Sequence, residues 1–520
     1  MSWSAGYFTE EEYIDGYVVE MSPMLLNLNL TIAGFDVGLR HKVGVEDGIR
    51  YLELGFGRGT SINIHAATYD GQFVGTDFNP SHAFMARSNM RGGGGNNVVL
   101  YDESFDELLA RFADEKPQFD YIVFHGIFTW VNRAIQDTML RIIRQTLKPG
   151  GVVYNSYNCY PGWSPKAPAR HLFKLFSEHS SGSMLDKIPN MLNFFEAFLK
   201  TESAYMKTTP QNQKLLEELK KFTTTDKTSY IAHEYLNAAW DCFWYSDIVA
   251  RMENMTKCNY ACNAKILEHY EDLNISPEGL TFLKSIKNKI FREQLKDFYV
   301  NRQFRTDIYQ KGHASLNPLE VSQKILNTEF VMIKPLNEFK NKIGTPRGEA
   351  ELAKEIYDKV LDILTQKSFA PKVVREIFEA TQIPFPQLLN ALSILVAQGM
   401  CLPCQKISTK VKKQADAYNR NLFEQQMFRS SSVFVASPLT GSGIVIPETM
   451  QLLIKGYIEN RKTQKELSQY IWDIYKPQGR KHVKDGKVLN EDSENIAEID
   501  KMTQDFLNNR LPIFKQLGIC

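Results

Sequence analysis

The run Tyr51-Leu52-Glu53-Leu54-Gly55-Phe56-Gly57-Arg58-Gly59 sets an acid two residues ahead of three alternate glycines. Glycine lets a backbone turn sharply and lets a ligand approach with no Cβ in the way. A dinucleotide fingerprint reads GxGxxG and seats a pyrophosphate on a helix N-terminus. Here the spacing is GxGxG, and Thr60 stands where the third fingerprint glycine would be. A carboxylate at Glu53 repels a pyrophosphate and suits a ligand that carries an ammonium group. S-adenosylmethionine has such a group and no phosphate, so Glu53, Gly55, Gly57 and Gly59 read as its binding residues.

Further candidates follow at regular intervals. Gly75-Thr76-Asp77-Phe78-Asn79-Pro80 puts an acid where a ribose would lie, about 20 residues after the first glycine, with Phe78 beside it. Tyr101-Asp102-Glu103-Ser104-Phe105 offers Asp102 to an adenine amino group and Phe105 to its ring. Helix capping by Asp102 or Ser104 is the equal alternative. His125-Gly126-Ile127-Phe128-Thr129-Trp130 and Tyr154-Asn155-Ser156-Tyr157 bring His125, Gly126, Tyr154 and Tyr157 toward the reacting centre.

These motifs need a scaffold that lines them up. From residue 49 the chain alternates short apolar runs with helical periodicity, predicting strands at 49–54, 72–76, 97–101, 119–124 and 151–156 with four helices between them. That pattern predicts a doubly wound α/β sheet, with every motif at the carboxyl end of a strand, where such sheets hold ligands. Residues 166–230 read as a helical insertion. Residues 231–318 read as the completion of the sheet, with strands at 257–264 and 304–309. Three helices and an extended run in 319–410 read as a winged-helix-like domain, and 411–520 as an α-rich domain. The sheet domain itself is expected to span 1–165.

The chain has 520 residues, is 43% hydrophobic and carries a net charge of +1, so no global field draws it to nucleic acid or lipid. Seven scattered cysteines argue against a disulfide framework, and Cys401-Leu402-Pro403-Cys404 alone is two ligands short of a zinc site; no metal is expected. The N-terminal seventeen residues have acids where a signal peptide has bases, and no apolar run approaches a membrane span. A cytoplasmic location is the expectation.

The run Tyr51–Trp163 resembles class I S-adenosylmethionine-dependent methyltransferases. LELGFGRG, NIHAA, GTDFNPSHAFMAR, FHGIFTWV and YNSYNCYPGW are similar to a bacterial group that carries a methyltransferase regulatory domain, as are Ala232-His233-Glu234-Tyr235-Leu236 and Asn301–Asp307. The group includes rickettsial protein-lysine methyltransferases that act on outer membrane protein B. The resemblance implies a Rossmann-like fold, bound S-adenosylmethionine and a protein-lysine substrate. The (N/D)PPY motif of amide and amine methyltransferases is absent, since that position reads HGIF. A small molecule or nucleic acid is the alternative substrate, with nucleic acid disfavoured, and a non-catalytic S-adenosylmethionine-binding module is the other alternative; a second copy of the chain is a candidate partner.

A lysine ε-amine, with a reference pKa of about 10.4, must lose a proton before it attacks a sulfonium methyl. Tyr154, Tyr157, Phe128 and Trp130 are expected to form an apolar aromatic mouth that eases this loss. His125 is expected to orient the amine or relay the proton, with His233 and Glu234 as alternatives if the last strands fold back over the site. Residues 320–520 are expected to engage the protein substrate and to add nothing to cofactor chemistry.

Overall fold

The computed structural model describes residues 16–37, 48–91, 95–224, 228–312, 314–425, 433–484 and 487–520. The first fifteen residues, over which most of the leader reading runs, lie outside them. The main sheet has seven strands. They are β1 (Ile49–Leu54), β2 (Gly71–Thr76), β3 (Val98–Tyr101), β4 (Phe119–Phe124), β5 (Leu147–Asn158), β6 (Cys258–Asn263) and β7 (Phe304–Lys311). Their order is β3-β2-β1-β4-β5-β7-β6. The first five are parallel. β7 runs antiparallel between β5 and β6. Strands covered on both faces are largely apolar, and all six residues of β4 are buried, Asp120 among them.

The strand order reverses between β1 and β4, and a ligand crevice opens at such a switch point. The glycine-rich run leaves β1 there and His125 leaves β4. The register brings Asn158, at the end of β5, opposite Phe304, at the start of β7. The later strands therefore deliver residues to the same edge.

After β5 the chain makes helices Ala167–Glu178, Met184–Lys200 and Gln211–Thr224. Phe173, Met191, Phe195 and Leu219 build a separate core there, joined by Tyr235 and Leu236. The helical stretch that follows is interrupted. Ala232–Leu236 is a π-helical turn, and regular helix resumes only at Tyr245–Thr256.

Beyond the sheet, Lys354–Phe369, Val374–Thr381 and Phe385–Ala397 are helices, and Cys401–Pro403 is a strand. The extended run after the third helix does not form a hairpin with later residues. It pairs with the upstream strand Glu329–Met332, which also pairs with Lys372–Val373. Cys401 and Cys404 are buried in an apolar core, and burial pushes both thiols up. Among the described residues no group of three or more His, Cys, Asp or Glu is placed to hold a metal, and no helix is long and apolar enough to cross a membrane.

Ser437–Gly443 is mostly the turn and inner ends of a hairpin, Val433–Ser437 with Ser442–Ile446. After α1 (Pro23–Ile32) the next helix is α2 (Thr60–Thr68), which follows the glycine-rich run, and this hairpin and the helix Thr409–Gln425 pack on it. Every residue of α2 after Thr60 is buried. A helix with no solvated face needs cover on all sides. The N-terminal segment supplies part of that cover: Tyr17 Oη lies 3.1 Å from His65 Nε2, and Val18 N–H donates to Ser61 Oγ. Ala415, Tyr418, Leu422 and Ala436 supply another part, in one core with Ile62, Ile64 and Ala67. That core crosses the boundary expected at 319, and the C-terminal region props the helix behind the cofactor loop. A fragment ending near Pro318 is therefore expected to lose cooperative folding, read by circular dichroism and calorimetric melting. A fragment with the full-length melting temperature would show that α2 does not need this cover.

Candidate functional site

Gly55, Gly57 and Gly59 all have left-handed backbone, with φ of 75°, 55° and 79°. A side chain at Gly59 would run into Ala86, and one at Gly55 into Ile127. At Gly57 and Gly126 a Cβ would meet nothing within 4 Å, so both open onto the crevice. Asp77 and Gly57 are brought together: Asp77 Oδ2 accepts from the Gly57 N–H at 2.8 Å, and its Oδ1 accepts from the Asn79 N–H at 3.0 Å. His82 Nδ1 lies 3.2 Å from the same Oδ1. Glu53 is buried, and its Oε2 has no hydrogen-bond partner among the described residues. Burial, with Asp77 nearby, holds its carboxyl well above the usual range. An acid in that state gains from a cationic ligand.

Phe78 is half-buried beside Asp77. Asp102 follows β3, half-exposed, and pairs with Arg87 Nη2 at 2.9 Å, which holds its carboxyl below the usual range. Ser104 is used as a cap: it accepts from the Glu107 N–H and Glu107 returns the bond, closing a capping box. Phe105 opens that helix, half-buried.

The second half of the site hangs on β5. Successive strand residues point to opposite faces, so Tyr154, Ser156 and Asn158 share one face. The Tyr154 hydroxyl lies 2.8 Å from His125 Nδ1, and the two rings stack with centroids 5.9 Å apart. Ser156 Oγ accepts from the Gly126 N–H at 2.8 Å. Asn158 Nδ2 donates to Glu234 Oε1 at 3.1 Å. Tyr157 faces the other way and donates to Asp307 Oδ2 at 2.6 Å. Three positions apart on a strand, Tyr154 and Tyr157 cannot line one mouth, which corrects the pairing expected from the sequence. Phe128 likewise packs into the core on the Tyr157 side.

Burial, reinforced by Lys265, lowers His125 to about 4, so the ring is neutral near pH 7. Burial raises Tyr154, so its hydroxyl is neutral as well. A neutral ring with so low a pKa makes a poor base. Glu234 differs: burial raises its carboxyl to about 7. The π-helical turn that carries it is held by Arg170, whose Nε donates to Glu234 O at 3.0 Å and whose Nη2 donates to Asn237 O at 2.8 Å. The guanidinium lies over the rings of Trp240, at 4.5 Å, and Trp130, at 5.7 Å. His233 is buried in the same turn.

Comparisons with known proteins show the family. The description "Methyltransferase domain" matches residues 52–151, and "Predicted methyltransferase regulatory domain" matches 227–311. An uncharacterized protein of Synechocystis sp. is 32% identical over 522 residues, covering 100% of both chains. An uncharacterized protein of Rickettsia prowazekii is 28% identical over 284 residues, which is 54% of this chain and 48% of that protein. This chain belongs to the class I S-adenosylmethionine-dependent methyltransferases. The solved structure of PKMT2 from Rickettsia typhi in complex with AdoHcy shares the fold of this methyltransferase, with a TM-score of 0.69 and 18% identity over 96% of this chain and 99% of that one.

The two matched segments of the methyltransferase meet at the site. The first ends within β5 and carries the glycine-rich run, Asp77 and His125. The second begins before the π-helical turn and ends with β7, so it carries Glu234 and Phe304. The Phe304 ring packs edge-on against His125 at 5.7 Å. Ser156 and Asn158 were missed from the sequence. The strand period of two, counted from Tyr154, was the signal that finds them. Asp77→Ala in this methyltransferase is expected to weaken S-adenosylmethionine binding about tenfold to a hundredfold, from lost hydrogen bonds to a charged group. Unchanged affinity by titration calorimetry would leave Asp77 with the loop only.

Proposed function

We propose that this methyltransferase modifies lysine side chains of a protein substrate. Glu234 carries the reading: a half-buried carboxyl with a pKa of about 7, held by Asn158 on the strand face that also holds His125 and Tyr154. A lysine ammonium reaching this edge needs a proton acceptor, and a carboxylate that titrates near the working pH is suited to that task. Bound S-adenosylmethionine supplies a methyl group on a sulfonium, placed by Glu53, Asp77 and the glycines. The neutral His125 ring and the Tyr154 ring orient the incoming amine. Glu234 takes the proton, and Asn158 fixes the carboxylate's position. The likeness to PKMT2 over nearly the whole chain supports the reading. An outer-membrane protein is the substrate to which the sequence resemblance points.

Tritiated S-adenosylmethionine offered with protein, RNA and small-molecule pools tests this, followed by mass spectrometry of the labelled protein. Label in lysine side chains is expected. Label confined to RNA or small molecules would sink the proposal.

A further inference from the structure

The stretch from Gly279 to Arg292, GLTFLKSIKNKIFR, holds four bases and no acid, in a chain whose net charge is only +1. It joins the helices Pro277–Ser285 and Lys289–Tyr299. A Cβ at Gly279 would lie 2.7 Å from the Tyr299 ring, so the start of the first helix packs on the end of the second. The two form a helical hairpin with residues 286–288 at its tip. Lys284, Lys287 and Lys289 are exposed around that tip and take part in no ion pair among the described residues. The neighbouring charges are already used: Arg292 pairs with Glu271, and Glu293 pairs with Lys296 and Arg305.

The same hairpin leaves large apolar side chains in water. Phe282 and Phe291 are each 53% exposed, and Ile290 is exposed beside Phe291. Phe298, exposed as well, is seven residues after Phe291 and so lies on the same helical face. Its ring stacks on Trp244 with centroids 5.6 Å apart. Single exposed apolar residues are ordinary, but a cluster of them rimmed by charge marks an interaction surface.

The shape and the charge select what covers it. From 281 to 291 nine of the eleven residues are exposed, so the tip protrudes. Peptides and single-stranded nucleic acids are held in grooves, whereas a convex tip fits a broad surface. A second copy of the chain fits poorly, because a two-fold contact sets the patch against itself and opposes lysine with lysine. A surface that is negative outside and apolar beneath matches both halves of the patch.

We propose that this helical hairpin docks the methyltransferase on the anionic lipid surface of a membrane. Lys284, Lys287 and Lys289 meet the lipid phosphates, and Phe282, Ile290 and Phe291 enter the headgroup layer, as exposed apolar residues among bases do at such an interface. The contact is peripheral and needs no spanning helix. It is independent of the lysine reading of the active site.

The test is cosedimentation of the full chain with vesicles of phosphatidylcholine alone, or of phosphatidylcholine and phosphatidylglycerol in equal parts. The chain should pellet with the anionic vesicles and stay in solution with the neutral ones. Raising the ionic strength from about 0.1 M to about 1 M shortens the screening length from about 10 Å to about 3 Å and should weaken the binding. Lys287→Gln and Lys289→Gln should each lower partitioning about 5-fold. Phe291→Ser should lower it about tenfold, through the apolar share that salt does not screen. S-adenosylmethionine affinity and circular dichroism should be unchanged in all three variants, since each replaces an exposed side chain. Equal partitioning into both kinds of vesicle, or wild-type partitioning in the lysine variants or in Phe291→Ser, would overturn the proposal. So would tighter binding to single-stranded RNA than to anionic vesicles, or a dimer in sedimentation velocity that Phe291→Ser dissociates.

Discussion

Glu234→Gln is expected to lower methyl-transfer turnover about 10²- to 10⁴-fold, the usual loss when a positioned general base is removed. The substituted amide keeps an oxygen for Asn158 Nδ2 and gives up only the basicity. The pH profile separates a base from a structural carboxylate. The active form is the carboxylate, and the pKa in the folded protein is about 7. Wild-type turnover should therefore rise as pH passes upward through about 7 and level off above it. The residual rate of the variant should lack that step. Stability has the opposite sign. A folded-state pKa raised above the unfolded value favours folding at low pH, and the advantage is lost as pH rises through about 7. Above that point the glutamine variant should be at least as stable as the wild type. A turnover step near pH 7 that survives in the variant would remove Glu234 from proton transfer.

Arg305→Met is expected to destabilise the fold by about 3–5 kcal/mol while leaving the cofactor residues in place, because it strands buried carboxylates. The guanidinium is 1% exposed, and Nη1 donates to Asp297 Oδ1 at 2.6 Å. Nε donates to Asp307 Oδ1 at 2.9 Å, and Nη2 to Glu293 Oε1 at 3.1 Å. Burial keeps Asp307 raised even beside the arginine. The penalty should thus come mainly from unpaired acids, and adding Asp307→Asn to the variant should recover part of it. Chemical denaturation of the single and double variants measures both. A loss below about 1 kcal/mol in Arg305→Met would mean that the acids simply take up protons at little cost.

The network changes the meaning of a motif. Asn301–Asp307 contributes to the family resemblance, yet Arg302 and Arg305 are used in holding β7 to its helices. Arg302 pairs with Glu268 and Asp297, and Arg305 pairs with Asp297, Glu293 and Asp307. Phe304 in this run packs against the His125 ring. Charged residues at conventional spacing look alike in a sequence whether they serve a reaction or a buried lattice, because burial is not visible there.

Local rules made the cofactor half legible. A strand, an acid and alternate glycines specify a turn whose geometry is set within nine residues, from Tyr51 to Gly59. The alternation of strand and helix periods then forces Asp77, Asp102 and His125 to the same edge. The substrate half was decided by tertiary structure. Asn158 and Glu234 are 76 positions apart and meet only because the π-helical turn is clamped by Arg170. Tyr157 was drawn away from the mouth by the two-residue period of its strand and by a buried partner 150 positions later. The C-terminal region looked separable because its helices have ordinary amphipathic patterns. Its role in covering α2 follows from a helix buried on every side, and whether such a helix lies under the chain's own end or in another core is settled only by long-range packing. By itself the sequence determined which strands form and what they carry at their carboxyl ends, since those depend on neighbours a few residues away. The tertiary structure decided which distant side chains face one another, because that depends on register, crossover and burial, which no short stretch contains.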